Sequence, residues 1–167
     1  MQDYYTSLLH MKDSYTNKAF DEMRWMEMSL SILLVDDCDM NRRVISLMLR
    51  KLGHQADMAE NGAEAIEALE NRHYDLVLMD IEMPVMDGFE ATKIIRRRWH
   101  QNPKIIAVTA LTDCKDACLE AGADDFLGKP LRIEKLRDSI DYNFPIPLIT
   151  EFMPGELERT HSAMADI

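Results

Sequence analysis

Four short apolar runs in this chain each end on a group able to handle a phosphoryl ion. Ser31-Ile-Leu-Leu-Val35 leads into Asp36-Asp37, and Leu76-Val-Leu-Met79 into Asp80. Ile105-Ile-Ala-Val108 leads into Thr109, and Asp125-Phe-Leu-Gly128 into Lys129-Pro130. In an open parallel α/β sheet, ligands bind beyond the carboxyl ends of the strands, near the point where strand order reverses. If these runs are parallel strands, three carboxylates, a hydroxyl and an ammonium converge on one pocket. That set suits a divalent cation and an incoming phosphate.

Between the runs, residues 30 to 141 alternate strand-like and helix-like patterns, the signature of a βα fold. Asp39 is the expected N-cap of a first helix, in which Val44, Ile45, Met48, Leu49 and Leu52 share one face. Gly53 supplies a left-handed stop. Gln55 to Ala59 reads as a polar second strand at a sheet edge. Asn61-Gly62 reads as a turn, followed by a helix from Ala63 to Asn71 with Ile66 and Leu69 inward. After the loop Ile81 to Asp87 and Gly88, a helix through Trp99 carries Phe89, Ala91, Ile94 and Ile95. A short helix is expected from about Asp113 to Glu120, stopping at Gly122, and a last one from Leu131 to Ile140. Five strands and five helices in strict alternation predict a flavodoxin-like three-layer sandwich with parallel strand order 2-1-3-4-5.

Residues 29–143 form this unit, and two extensions flank it. Over residues 1–28, Tyr4, Leu8, Met11, Tyr15, Ala19, Met23 and Met26 recur three or four apart, an amphipathic helical pattern. Such a face packs on its own domain, on a second copy in a homodimer, or on a partner. Residues 144–167 contain Phe144-Pro-Ile-Pro147 and Pro154-Gly155, which forbid a continuous helix. Neither extension has room for a DNA-binding or enzymatic output domain.

Composition narrows the partners. The 167 residues are 47% hydrophobic and 29% charged, as in a globular protein. With 19 basic against 30 acidic residues the net charge is −11. That disfavours direct nucleic-acid binding, which needs a basic face, and favours protein partners and a metal. No apolar stretch approaches the ~20 residues that span a bilayer, so no membrane insertion is expected. The start, Met1-Gln-Asp-Tyr-Tyr5, lacks the basic and apolar regions of a secretory signal, so a cytoplasmic location is expected. Three cysteines, Cys38, Cys114 and Cys118, are too few and odd in number for a disulfide framework. Cys114 and Cys118, four apart on one helix face, read as small buried apolar residues, whereas Cys38 sits beside the carboxylate pocket with a redox role not favoured. The five histidines form no ligand pattern and read as surface or loop residues.

Taken together, Val35-Asp-Asp37, Met79-Asp-Ile-Glu-Met-Pro-Val-Met-Asp-Gly88, Ala107-Val-Thr-Ala110 and Gly122-Ala-Asp-Asp-Phe-Leu-Gly-Lys-Pro130 resemble the receiver domain of two-component response regulators. Asn41-Arg42 and Asn61-Gly62 are also in place. The resemblance covers the βα unit, and the loop after Asp80 looks most like receivers associated with hybrid histidine kinases.

This resemblance implies that Asp80 is the phosphoacceptor, served by a phosphohistidine on a histidine kinase or histidine phosphotransfer protein. It implies a Mg²⁺ held directly by Asp37, through water by Asp36, and by Asp80 and the Glu82 main-chain carbonyl. Mg²⁺ suits such a set because it is a hard cation that prefers carboxylates, waters and phosphate oxygens. Lys129 would pair with Asp80 at rest and with the phosphoryl group afterwards, aimed by a cis bond before Pro130. Thr109 would donate its hydroxyl to the phosphoryl group beside small Ala110. Phe126 occupies the position of a switch aromatic that follows Thr109, and it is equally readable as core.

Two departures matter. Many relatives carry Tyr where this chain has Phe126, and Phe lacks a hydroxyl that could report an inward state. Leu111 cannot hold a hydrolytic water, which implies slow loss of phosphate, although Glu82 could touch such a water. Two other classes remain. One is a docking module of the same fold controlled through protein contacts alone, against which the intact Asp36, Asp37, Asp80, Thr109 and Lys129 set argues. The other is an enzyme with an aspartyl-phosphate intermediate, which needs a further general acid and a cap with no candidate here. The expectation is a phosphoacceptor that assists its own chemistry, not a turnover enzyme, with an unknown downstream protein target. The lack of a glycine-rich loop after the first strand argues against a Rossmann-type nucleotide binder.

Overall fold

A computed structural model describes residues 30–111 and 113–145. The chain runs β1 (Ser31–Val35), α1 (Asp39–Lys51), β2 (Gln55–Ala59), α2 (Gly62–Asn71), β3 (Leu76–Asp80), α3 (Gly88–Trp99), β4 (Lys104–Thr109), α4 (Lys115–Ala121), β5 (Asp125–Gly128) and α5 (Ile133–Asn143). All pairings are parallel, in the order β2-β1-β3-β4-β5. The expected flavodoxin-like three-layer topology is the one observed.

Why the central strands read as unbroken apolar runs follows from their position. Both faces of β1, β3 and β4 are covered, and nearly every residue in them is buried. Alternate residues feed two separate cores. Leu33, Val35, Val77, Met79, Ile105 and Ala107 pack with Ile66 and Leu69 of α2, Ala91 and Ile95 of α3, and Cys118 of α4. Ile32, Leu34, Leu76, Leu78, Ile106 and Val108 pack with Ile45 and Leu49 of α1 and Leu136 and Ile140 of α5. β2 lies at the edge with only Ala59 fully buried, which explains its polar sequence.

Local starts and stops differ from the sequence reading in instructive ways. The N-cap of α1 is Cys38, in extended backbone, and Asp39 is the first helical residue, paired with Arg43 at 2.9 Å. The cap lies one residue earlier because Asp36 Oδ1 already accepts the Cys38 N–H at 2.9 Å, bending the chain into the helix. Asn61 is not in a free turn. Its side chain accepts the Glu64 N–H at 3.0 Å, and Glu64 Oε2 accepts the Glu60 N–H at 2.8 Å, a reciprocal cap that starts α2 at Gly62. α4 begins at Lys115 and α5 at Ile133, since Arg132 is still extended. Gly53 (φ 85°) and Gly122 (φ 111°) do supply the left-handed stops.

Burial departs from expectation at three places. Val44 is exposed, because α1 turns only Ile45, Leu49 and Arg42 fully inward. His54, expected at the surface, is 1% exposed, while His73 and His100 are exposed. Of Cys114 and Cys118, both expected to be small buried residues, only Cys118 is fully buried, Cys114 is half-buried, and Cys38 beside the pocket is exposed. The helix expected over residues 1–28 and the chain beyond residue 145 lie outside the described residues. Phe144 packs against the α1/α5 core. Among the described residues, no helix is long and apolar enough to cross a membrane.

Candidate functional site

Strand order reverses between β1 and β3, and the carboxyl ends of these two strands carry Asp36 and Asp80. Asp36, Asp37 and Asp80 each offer a carboxylate oxygen within 4.8 Å of the others. Asp36 and Asp80 are buried, whereas Asp37 is exposed. Lys129 reaches in from the end of β5, with Nζ 2.7 Å from Asp80 Oδ2 and 2.8 Å from Asp36 Oδ2. The Lys129 N–H donates to Thr109 O at 2.7 Å, so the ends of β4 and β5 are tied together directly behind the pocket. The Lys129–Pro130 bond is cis, as the resemblance implied.

Neighbouring backbone shapes the pocket. Gly88 N–H donates to Ile81 O at 3.0 Å, folding the loop after Asp80 back on itself. A Cβ at Gly88 would sit 2.1 Å from Asp80 O, so only glycine permits that return. The Glu82 N–H points at Asp80 Oδ1 from 3.4 Å, and the Glu82 side chain is exposed. Thr109 is fully buried, and its Oγ1 accepts the Leu111 N–H at 3.1 Å. Phe126 pairs in register with Ala107 and lies half-buried against the α2–α4 core.

Two contributors had no role assigned from the sequence. Asn41 Nδ2 donates to Asp36 Oδ1 at 3.0 Å, holding the carboxylate from the first turn of α1. Arg42 donates to Asp36 O at 2.7 Å and to Glu60 Oε1 at 2.7 Å, pinning the start of α1 over the end of β2. Their signal was present in Asn41-Arg42, five and six residues after Asp36, where a helix turn returns toward its own start. The Lys129–Asp36 pair had also gone unforeseen.

The electrostatics follow from burial with incomplete neutralisation. Burial raises the Asp80 carboxyl above its ordinary range, the Lys129 hydrogen bond opposes this, and the charge on Asp36 adds to it. Burial would lower the Lys129 ammonium, but its hydrogen bonds to Asp36 and Asp80 outweigh that and raise it. One cation thus serves two buried carboxylates, with exposed Asp37 a third. The excess negative charge suits a further cation, and the hard oxygen donors suit a small divalent one.

Residues 32–141, well over half of the chain, match the family model of the response regulator receiver domain. The chain is 42% identical over 127 residues to hybrid signal transduction histidine kinase G of Dictyostelium discoideum, covering 71% of this chain and 4% of that protein. It therefore spans only a small part of that relative. The receiver domain of sensor histidine kinase PA1611 from Pseudomonas aeruginosa, with a magnesium ion coordinated in its active-site cleft, superposes with a TM-score of 0.63. That match is 37% identical and covers 69% of this chain and 97% of that one. The Saccharomyces cerevisiae Ssk1 receiver, crystallised with the histidine phosphotransfer protein Ypd1, superposes at 0.61 with 31% identity, covering 68% of this chain and 87% of that one. With its fold, its acidic pocket and these relatives in agreement, the chain belongs to the response regulator receiver domain family of two-component signal transduction.

Proposed function

We propose that this receiver accepts a phosphoryl group from a phosphohistidine onto Asp80, in a Mg²⁺-dependent reaction, and thereby switches partner binding or relays the phosphate. The observation that carries the reading is the bridge from Lys129 Nζ to both Asp80 Oδ2 and Asp36 Oδ2 beside the three-carboxylate cluster. An Asp80 oxygen attacks phosphorus while the P–N bond breaks and its electron pair returns to the donor imidazole. The phosphoryl group is already anionic, so the barrier is charge repulsion, and catalysis is positioning and electrostatics.

Asp36, Asp37, Asp80 and the Glu82 main-chain carbonyl would hold the ion, as the donor chemistry and the magnesium in the PA1611 receiver support. When bound, Mg²⁺ neutralises charge on the phosphoryl oxygens. Lys129 exchanges one carboxylate partner for a phosphoryl oxygen. The Thr109 hydroxyl turns from the Leu111 N–H to donate to the phosphoryl group. Its motion vacates space toward which Phe126, already half-buried beside Ala107, can shift. The resulting signal is read on α4, β5 and α5. The chain acts as a switch rather than a turnover enzyme.

The donor is a histidine kinase or a histidine phosphotransfer protein, a reading supported by the Ssk1–Ypd1 complex and the hybrid-kinase relatives. Residues 29–143 serve as the receiver unit, flanked by the extensions 1–28 and 144–167.

The deciding experiment incubates the protein with acetyl phosphate and Mg²⁺ and reads intact mass. A gain of about 80 Da is expected for a single phosphoryl group, absent in Asp80→Asn and absent without Mg²⁺. An adduct that persists in Asp80→Asn overturns the assignment. If neither acetyl phosphate nor a phosphorylated histidine donor yields an adduct, the phosphoacceptor reading fails.

A further inference from the structure

The sulfurs of Cys114 and Cys118 lie 3.7 Å apart on the segment that leaves the carboxyl end of β4, and the reading above uses neither. Cys118 is 1% exposed, inside the α2–α4 core. Cys114 is half-buried and is the N-cap of α4, with φ −102° and ψ 11°. Residues four apart along a helix have Cα atoms about 6 Å apart, within the range a disulfide bridges.

Cys114 is also wired to the pocket. Its Sγ donates to Leu111 O at 3.2 Å, and the Leu111 N–H donates to Thr109 Oγ1 at 3.1 Å. A series of direct contacts therefore runs from the thiol pair to the hydroxyl behind Asp80. Disulfide formation requires the sulfurs to approach to about 2 Å. Cys118 is locked in the core, so Cys114 supplies most of that movement and leaves Leu111 O.

We propose that Cys114 and Cys118 form a two-electron redox site, closed to an intrachain disulfide by hydrogen peroxide, and that closure frees the Leu111 backbone from its hold on Thr109. Only the signalling consequence rests on the phosphoacceptor reading, since Thr109 is the hydroxyl assigned to the phosphoryl group. Burial pushes the Cys118 thiol up to about 12, with the Cys114 hydrogen bond adding to the shift, so Cys118 keeps its proton at neutral pH. The more accessible Cys114 is then the sulfur that meets the oxidant.

Cys114 sulfur attacks a peroxide oxygen, the O–O bond breaks, and a sulfenic acid and one water form. Cys118 sulfur displaces the sulfenic oxygen as a second water that carries the Cys118 proton. Two thiols are oxidised and one peroxide is reduced to two waters. A reversible bond of this kind is the sort tolerated in a reducing compartment, where disulfides are transient or sensory. Exposed Cys38 lies on the loop after β1 and serves as an internal control.

The test exposes the full chain to hydrogen peroxide, blocks free thiols, denatures and digests with trypsin, which cuts between the two cysteines at Lys115. Peptide Ile105 to Lys115 joined to Asp116 to Arg132 is the expected product, reversed by dithiothreitol and absent in Cys114→Ser and in Cys118→Ala. Accumulation of sulfinic acid at Cys114, or cross-linking only through Cys38, overturns the proposal. In parallel, the ¹H–¹⁵N resonances of Leu111 and Thr109 are followed. They should shift on oxidation of the wild type and stay in place in Cys114→Ser. A mapped disulfide with unmoved Leu111 and Thr109 resonances overturns the coupling. Neither readout requires phosphorylation, so failure of the acetyl phosphate experiment leaves this result interpretable on its own.

Discussion

Lys129 and Asp36, separated by 93 residues of sequence, form an ion pair of 2.8 Å in which the carboxylate is almost entirely buried. Because Asp80 shares the same ammonium, removing it leaves two buried carboxylates facing each other. Lys129→Met is expected to cost about 3 kcal/mol of stability, the scale of breaking a buried pair. Asp80→Asn in the same background should recover part of that loss, since one of the repelling charges is gone. Urea unfolding of the two single variants and the double variant measures this. Strict additivity would show that the three groups do not act together.

Gly88 is expected to tolerate no side chain. A Cβ there would lie 2.1 Å from Asp80 O and 2.9 Å from Ile81 Cα, both backbone atoms that cannot step aside. Gly88→Ala should destabilise the fold by about 1–3 kcal/mol, as overpacking does. It should also lower acetyl phosphate labelling beyond what the stability loss explains, because the displaced backbone belongs to Asp80 itself. Thermal unfolding and intact-mass labelling on the same sample separate the two effects.

Burial lowers the His54 imidazole below its ordinary 6.5, with the Asp141 charge opposing. Below pH 6.5 the unfolded chain takes up a proton that the folded chain resists, so the unfolded state binds more protons. Stability supplied by neutral His54 is therefore full above about pH 6.5 and is lost as pH falls through the folded value. Urea unfolding at pH 7.5 and 5.5 should show His54→Leu losing less stability than wild type over that interval. An equal loss in both proteins would remove His54 from the account.

On the phosphoacceptor reading, Leu111 is expected to slow loss of the phosphoryl group, because it cannot hold a hydrolytic water. Leu111→Gln is expected to shorten the lifetime of the adduct several-fold in a chase after acetyl phosphate is removed. An unchanged lifetime would place control elsewhere, with Glu82 the next residue to replace.

Metal binding should depend most on Asp37. It is the exposed member of the cluster, so replacing it leaves the buried Asp36–Lys129–Asp80 arrangement intact. Asp37→Asn is expected to weaken Mg²⁺ binding in calorimetric titration while leaving thermal stability in chelator nearly unchanged. Equal affinity in the variant and wild type would show that the ion is held without it.

How much of this was legible in the sequence depends on the range of the interactions involved. The fully buried strands announced themselves as apolar runs because both of their faces are covered, and β2 announced itself as an edge by its polarity. Gly53 and Gly122 marked helix ends because a left-handed backbone is a local property of glycine. The chemical groups after each strand were visible for the same reason, since a strand's end is where its apolar run stops.

What the sequence could not supply were contacts between distant segments. His54 looks like a loop residue until the fold buries it within reach of the Asp141 charge, and Val44 looks inward until the helix finds its rotation. Lys129 was expected to meet Asp80, but its claim on Asp36, 93 residues away, needed the tertiary structure. Local propensity and periodicity are written in neighbouring residues. That two buried carboxylates from different strands share one cation is settled only when the layers pack and burial makes each unpaired charge costly.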